Sequence, residues 1–354
     1  MRIIVAGAGP AGLAFALSFK QQRPAATVTI VERRKPRDAY GWGITLPRWA
    51  LSRLATADSN AAAELAAHSV SWNGVHIYHQ GRRVEAAGAA LLGIQRSTLL
   101  DVLRTRCATA GVDIHYETEL GPDALPACDL LVIANGARSA IRDRYGDAFG
   151  VQHQAMTTRF TWLATPHSIA SLTVAFAETD AGVFIAHGYP SSAEMSTFVV
   201  ECSPDVWQRT GIGDESNDEA CAYLAATFDS VLDGKPLVCH HRVRWTSLLR
   251  VRNERWHHER MVLCGDAAHA IHYAVGSGTC LAIEDGLALA AALCQHDDVG
   301  AALTSYEEER RAAVGIMQEI EPTVLRRLDR ARTDMDLPPL TLAYLLLRQW
   351  TANE

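Results

Sequence analysis

Three glycines, Gly7, Gly9 and Gly12, lie in the run Gly7-Ala8-Gly9-Pro10-Ala11-Gly12 directly after Ile3-Ile4-Val5-Ala6, and Glu32 stands 20 positions beyond the last of them. That spacing suits a dinucleotide pyrophosphate. Gly7 permits a tight turn, Gly9 leaves room for the phosphates, and Gly12 lets the following helix pack against the sheet. Pro10 and Ala11 open that helix, whose unpaired N–H groups and partial positive charge favour phosphate oxygens. Glu32 closes a second apolar stretch, Val28-Thr29-Ile30-Val31, and can accept from both hydroxyls of an adenosine ribose, with Arg33 beside it. An acid at this point disfavours a 2′-phosphate.

A second set lies far downstream. Arg260-Met261-Val262-Leu263-Cys264 reads as a buried strand that delivers Asp266, in Gly265-Asp266-Ala267-Ala268-His269, to an exposed end. A carboxylate there can accept hydrogen bonds from a polyol such as a ribityl chain. Gly276-Ser277-Gly278-Thr279 then opens a helix, whose free N–H groups suit the electron-rich edge of an isoalloxazine and stabilise its reduced anion. The two sets together point to FAD.

Positioning them requires a parallel sheet with crossover helices. Strand, helix and strand fill residues 1–32; helical segments follow around 47–67; Val75–His79 and Arg83–Val84 form a hairpin about Gln80-Gly81. Arg96 opens a further helix, and Ile114–Tyr116 and Leu130–Ala134 read as short buried strands. From about residue 157 short strands alternate with turns, at 160–164, 172–177, 182–188 and 195–201, which suggests an antiparallel sheet. Helices return at 217–231 and from 279 onward, the last over Leu337–Trp350. The expected architecture is α/β: a Rossmann-like FAD-binding domain (1–73, 92–156, 256–300) interrupted by a β-sheet substrate domain (74–91, 157–255), with C-terminal helices at 301–354.

Composition narrows the partners. The 354 residues are 48% apolar and 21% charged, with a net charge of −7 and no basic block, so nucleic acid is not an expected partner. No apolar run reaches the ~18 residues of a membrane span. The first strand starts the chain, so a cleavable leader would remove the cofactor site, and the expected location is cytoplasmic. The eight cysteines show no CxxC and no metal-ligand spacing, and read as free core thiols.

Three stretches, Gly7–Glu32, Asp129–Arg142 and Gly265–Asp285, resemble the single-component FAD-dependent aromatic hydroxylases with the fold of para-hydroxybenzoate hydroxylase. Asn135 replaces the usual aspartate of the middle motif. Gly41-Trp42-Gly43, Gly93-Ile94-Gln95-Arg96, Phe184–Tyr189, Ser196–Glu201 and His272–Thr279 are similar to a subgroup of salicylyl-CoA and anthraniloyl-CoA hydroxylases and protodeoxyviolaceinate monooxygenases. The resemblance implies reduction of FAD by NADH or NADPH, capture of O2 as a flavin hydroperoxide, and attack of an electron-rich ring on its distal oxygen. It also implies that Arg96 meets the pyrophosphate, Asp266 the ribityl chain or pyrophosphate, and Gly276 to Thr279 the pyrimidine edge. Tyr273 and Cys280 stand where the wider family has proline and asparagine. Longer members carry extra C-terminal residues that close the site or form a dimer, so a more open pocket or a different lid is expected here; a monomer or homodimer is the expected assembly.

The substrate implied is a small aromatic molecule, CoA-linked or indole-derived. Strand alternation puts His187 and Tyr189 on one face, and Glu201 on a face with Thr197 and Val199, where a His, Tyr and Glu set could deprotonate or orient a phenol or aniline; polar groups satisfied within the sheet would look the same. His272, just before the glycine loop, is the better placed histidine. Trp42, next to Gly43, either shields the flavin or fills the core. Arg242, Arg244, Arg250, Arg252 and Arg255 either meet the phosphates of a CoA thioester or form a solvated charged face. Cys280 is a candidate redox thiol, though nothing near it in sequence lowers its pKa. An FAD-dependent reductase that inserts no oxygen would carry the same cofactor motifs.

Overall fold

Apolar runs and alternating runs sort into two different sheets. The computed structural model describes residues 1–36, 41–212, 216–239 and 243–351. The first sheet has six strands in the order His257–His258, Met261–Leu263, Leu130–Ile133, Arg2–Ala6, Thr27–Val31 and Asp113–His115. Its neighbours are parallel, except that His257–His258 runs antiparallel to Met261–Leu263. Leu130, Leu131, Val132 and Ile133 are all buried, as a strand covered on both faces requires.

Helix Pro10–Gln22 packs against this sheet and against helix Gly278–Gln295. Gly286 permits the close helix contact: a Cβ there would stand 2.5 Å from the Ala11 carbonyl oxygen and 2.6 Å from the Phe15 nitrogen. The helix Gly278–Gln295 also corrects an expectation, because its 18 residues are apolar enough to cross a membrane by length and composition. Glu284 and Asp285 interrupt the run in sequence. The helix is instead a core element, with Asp285 fully buried and ion-paired to Arg310 at 2.8 Å.

The second sheet has seven strands in the order Gly43–Pro47, Arg82–Gln95, Val70–His79, Leu172–Thr179, Gly182–Pro190, Ser196–Cys202 and Arg159–Thr165. All pairs are antiparallel except Val70–His79 with Leu172–Thr179. The expected Gln80-Gly81 turn is present, with φ of +50° and +70°. The sheet claims more of the chain than 74–91, because it also takes Gly43–Pro47, 70–73 and 92–95. A bulge between Asn73 and Val75, at Gly74, shifts the alternation by one residue and hides the length of the strand from a period-two reading. Residues 151–155 and 249–253, assigned above to different domains, pair with one another in a separate two-stranded ribbon.

One face of the second sheet carries Leu163, Phe184, Ala186, Phe198 and Val200, packed with Val206, Leu224 and Phe228 beneath helices Pro204–Thr210 and Asn217–Thr227. Their neighbours Ile185, His187, Tyr189, Thr197, Val199 and Glu201 therefore face the opposite way. The C-terminal helices Val299–Asp334 and Pro339–Thr351 close that side, with Leu342, Ala343 and Leu346 against Ile77, Val174 and Ile185.

Candidate functional site

The three N-terminal glycines do different things. A Cβ on Gly7, whose φ is +107°, would stand 2.5 Å from the Ala134 carbonyl oxygen, and one on Gly12 would collide with the Gly7 carbonyl. Nothing lies within 4 Å of the Cβ position of Gly9. This open space sits at the N-terminus of helix Pro10–Gln22, where no side chain caps the free N–H groups. A cleared helix N-terminus of this kind fits a pyrophosphate. Beside it, Asn135 Oδ1 is buried without a hydrogen-bond partner. Glu32 Oε2 accepts from the Ala8 N–H at 2.8 Å and Oε1 from the Arg34 N–H at 2.9 Å, which fixes a carboxylate that still has lone pairs for two hydroxyls. Arg33 points elsewhere, to Glu119 at 3.4 Å on the surface.

Asp266 lies in the turn Gly265–Ala267, surrounded by protein yet with its side chain open to solvent, as the wall of a cleft. Burial raises its pKa, and His269 and Arg96 oppose the rise. Arg96 opens helix Arg96–Thr109, its N–H donating to the Trp42 carbonyl at 2.7 Å. Burial lowers its pKa, with Asp266 as the main opposing charge. A cation and a carboxylate thus face one cleft, a donor set that suits a pyrophosphate and a polyol.

Behind Asp266 is a network that sequence reasoning missed. Asp285 Oδ2 accepts from the Gly265 N–H at 3.0 Å and from His269 Nε2 at 2.6 Å, while Oδ1 accepts from Arg310 Nε at 2.8 Å. Burial pushes the Asp285 carboxyl up, but His269 and Arg310 outweigh it and hold it below the ordinary range. The only sequence signal was an acid inside an apolar helix, which needs a buried partner.

His272 sits at the start of the glycine loop, 2% exposed. Its N–H donates to Glu321 Oε1 at 2.8 Å, and its Nδ1 accepts from the Ala274 N–H at 3.2 Å. The ring proton therefore belongs on Nε2, which is buried without a partner among the described residues. Burial lowers the pKa of His272 to about 4. A neutral imidazole with its acceptor nitrogen already engaged shapes the turn Tyr273–Val275 and is not placed as a base. Gly276, with φ +75°, and Gly278 leave the N-terminus of helix Gly278–Gln295 clear, again without a side-chain cap. Ser277 and Thr279 flank that opening. Cys280 is buried and its thiol is pushed up to about 12, which removes it as a redox thiol.

The substrate sheet supplies the facing wall. His187 Nε2 lies 2.9 Å from Glu201 Oε1, and the Tyr273 hydroxyl donates to Glu201 Oε2. Phe160 packs on Tyr273 with ring centroids 4.8 Å apart, and Trp162 lies against Gly41. Tyr189 donates its hydroxyl to the Gly43 carbonyl at 2.9 Å, and the Gly43 N–H donates to Thr197 Oγ1 at 2.8 Å. Tyr189 is thus tied to the strand beside Trp42 and stands apart from His187 and Glu201 in what it touches. Tyr273 joins the set in its place, although its loop gave no periodicity from which to read its direction.

Three of the arginines turn to different partners. Arg250 pairs with the fully buried Glu321 at 2.8 Å, Arg252 donates to the Gln318 carbonyl at 3.4 Å, and Arg255 donates to the carbonyls of Ala148 and Asp147 at 2.6 and 3.0 Å. Arg244 is exposed, and Arg242 lies outside the described residues.

Comparison with known proteins gives the family. Residues 1–319 match the family described as FAD binding domain. The chain is 35% identical over 328 residues to a salicyloyl-CoA 5-hydroxylase of Streptomyces sp., covering 90% of this chain and 63% of that protein, so it spans less than two thirds of that relative. It is 37% identical over 320 residues to a 3-hydroxy-4-methyl-anthranilyl-[aryl-carrier protein] 5-monooxygenase of Streptosporangium sibiricum, covering 90% of this chain and 87% of the other. It is 33% identical over 318 residues to the protodeoxyviolaceinate monooxygenase of Chromobacterium violaceum, covering 87% and 83%. Among solved structures, a 2-methyl-3-hydroxypyridine-5-carboxylic acid oxygenase superposes with a TM-score of 0.77 at 20% identity, covering 96% of this chain and 94% of that one, a likeness of fold.

Proposed function

The chain belongs to the FAD binding domain family and stands among its FAD-dependent aromatic monooxygenases, and from that premise we propose that it hydroxylates an activated aromatic substrate such as a salicylyl- or anthraniloyl-CoA thioester, with NADH or NADPH as co-substrate. The observation that carries this reading is the pair of uncapped, glycine-cleared helix N-termini at Gly9 and Gly278, with the Arg96 and Asp266 charges on the same cleft and an aromatic wall on the other sheet.

In this reading Gly7, Gly9, Pro10, Ala11 and Gly12 hold the pyrophosphate together with Arg96, Glu32 holds the ribose, and Asp266 the ribityl chain. Gly276 to Thr279 meet the pyrimidine edge, and Trp42 and Gly43 border the ring. Bound FAD supplies the redox chemistry, taking a hydride from the nicotinamide and activating dioxygen. The protein's part is to orient the ring, keep water out and hold the substrate's proton, using Phe160, Trp162, His187 and Tyr273. A cytoplasmic monomer or homodimer completes the proposal.

An indole-derived substrate is the second reading, supported by the likeness to the protodeoxyviolaceinate enzyme. Mass spectrometry of product formed under oxygen-18 gas separates the readings, using either nicotinamide and a panel of aryl-CoA thioesters, free benzoates and indolic acids. One heavy oxygen in a CoA-bound product is the expected result. Label only in an indolic product selects the second reading, and turnover without label overturns the oxygenase assignment. Removing the charge of Arg242 and Arg244 adds a check, since an unchanged KM for every thioester excludes these arginines as the CoA phosphate site.

A further inference from the structure

Glu201 is 1% exposed, and both of its carboxylate oxygens are engaged by groups from different parts of the fold. His187, from strand Gly182–Pro190, meets Oε1; Tyr273, from the loop that leads into Gly276–Thr279, meets Oε2. Burial pushes the Glu201 carboxyl up, but His187 and Tyr273 outweigh it and keep it below the ordinary range, hence ionised. An ionised carboxylate only accepts, so the hydrogen between Glu201 and His187 belongs to the imidazole Nε2. In the neutral ring the other nitrogen, Nδ1, is then a bare acceptor. Nδ1 has no hydrogen-bond partner among the described residues, and 17% of the His187 side chain remains open. The Tyr273 ring stands perpendicular to His187, with centroids 6.0 Å apart at 89°, and Phe160 packs on Tyr273, so the imidazole sits beside aromatic surface. His272, neutral with its Nδ1 engaged by Ala274, and Arg250, paired with Glu321, are both committed elsewhere.

We propose that Glu201 is a positioning residue that holds His187 with its proton on Nε2 and Nδ1 presented to the substrate, so that His187 accepts the hydrogen of a ring hydroxyl or amino group. The substrate is thereby an aromatic ring bearing an O–H or N–H donor, and a ring without one leaves Nδ1 unsatisfied in a dry wall. As a ring carbon gives an electron pair to the distal oxygen of a peroxide-level oxidant, the O–O bond would break with its pair leaving on the other oxygen; the donor O–H or N–H bond breaks, its electron pair moves into the ring, and the proton passes to Nδ1, to be returned when the attacked carbon loses its own hydrogen as a proton and the ring becomes aromatic again. The imidazolium formed is balanced by Glu201. The inference rests on the proposed function for the reaction and the ring, while the state of His187 is a property of the protein itself.

Two measurements on the FAD-loaded protein test it. Nitrogen-15 NMR of imidazole-labelled protein at neutral pH is expected to show His187 as the Nε2-protonated neutral ring; an Nδ1-protonated ring overturns the inference whatever the substrate. Flavin difference spectra then give the affinities of salicyloyl-CoA and benzoyl-CoA, which differ by the ring hydroxyl. The wild type is expected to bind the hydroxylated thioester at least about tenfold more tightly, and Glu201→Gln to reduce the preference to about twofold or less. Tyr273→Phe, which removes one donor and leaves the His187 contact, is expected to keep the tautomer. Equal wild-type affinities overturn the inference even though thioesters bind. If neither thioester binds, the failure falls on the thioester reading, and the NMR tautomer decides for or against the role of Glu201.

Discussion

At His272 a single backbone N–H, that of Ala274, decides which ring nitrogen carries the proton, and the price of charging the ring follows from its burial. The unfolded imidazole titrates near its ordinary value of 6.5, the folded one at about 4. Between those values the unfolded chain binds the extra proton, so stability falls as pH drops from 6.5 to 4, and His272 is expected to cost on the order of 2 kcal/mol at pH 5. Urea unfolding of the wild type and His272→Asn at pH 7.5 and pH 5 checks this: equal losses in both proteins would clear His272 of responsibility. Asp285 and Glu201 act in another window, because their lowered pKa values stabilise the fold above the ordinary carboxylate range and are lost only as the pH falls below it. Gly9 isolates a cofactor contribution. A methyl group there meets nothing in the protein and the backbone φ is −81°, so Gly9→Ala is expected to leave the melting temperature of the apoprotein unchanged and to weaken FAD binding by at least about tenfold, read by fluorescence titration.

Elements meet where glycine or a buried ion pair lets them. Helices Pro10–Gln22 and Gly278–Gln295 touch through Gly286, and Gly286→Ala is expected to lower stability by about 1–3 kcal/mol by forcing the two backbones apart, measurable as a shift of the urea midpoint. Asp285 joins helix Gly278–Gln295 to Arg310 on helix Val299–Asp334 and to the Gly265 turn. Asp285→Asn takes one of two carboxylates from the buried Arg310, leaving Glu284 at 3.2 Å, and is expected to cost roughly 1.5–3 kcal/mol by the same measurement. A loss below about 1 kcal/mol would mean that Glu284 alone compensates Arg310. The strands, the helix starts and the glycine cradle were legible because each rests on local chemistry: period two, an apolar run, a glycine at a forced turn. Gly74 defeated the same reading, since a bulge changes the phase of a strand without changing its composition.

Across the whole molecule, the two cleared helix starts were legible because each is written in one glycine-rich turn. The facing wall was not. Glu201, His187 and Tyr273 come from two adjacent strands and a loop 72 residues beyond Glu201, and the period of the strands could assign the first two to a face without revealing that Tyr273 arrives there. Arg250, Arg252 and Arg255, close in sequence, turn to different parts of the fold, which their spacing alone could not decide. The chain's path between the sheets has a consequence for recombination. It builds the first sheet with 2–31, the second with 43–95, returns to the first at 113–133, to the second at 159–202, and ends in the first at 257–263. A single-crossover chimera joined to a relative anywhere between residues 47 and 196 therefore mixes parental strands in both sheets at once. Exchanging the strands of the second sheet alone takes two inserts, 43–95 and 159–202, moved together, with Tyr273 left outside both. In such a lineage specificity is inherited through paired segments or through point changes on the wall, and a library built on one breakpoint is expected to yield mostly misfolded chains.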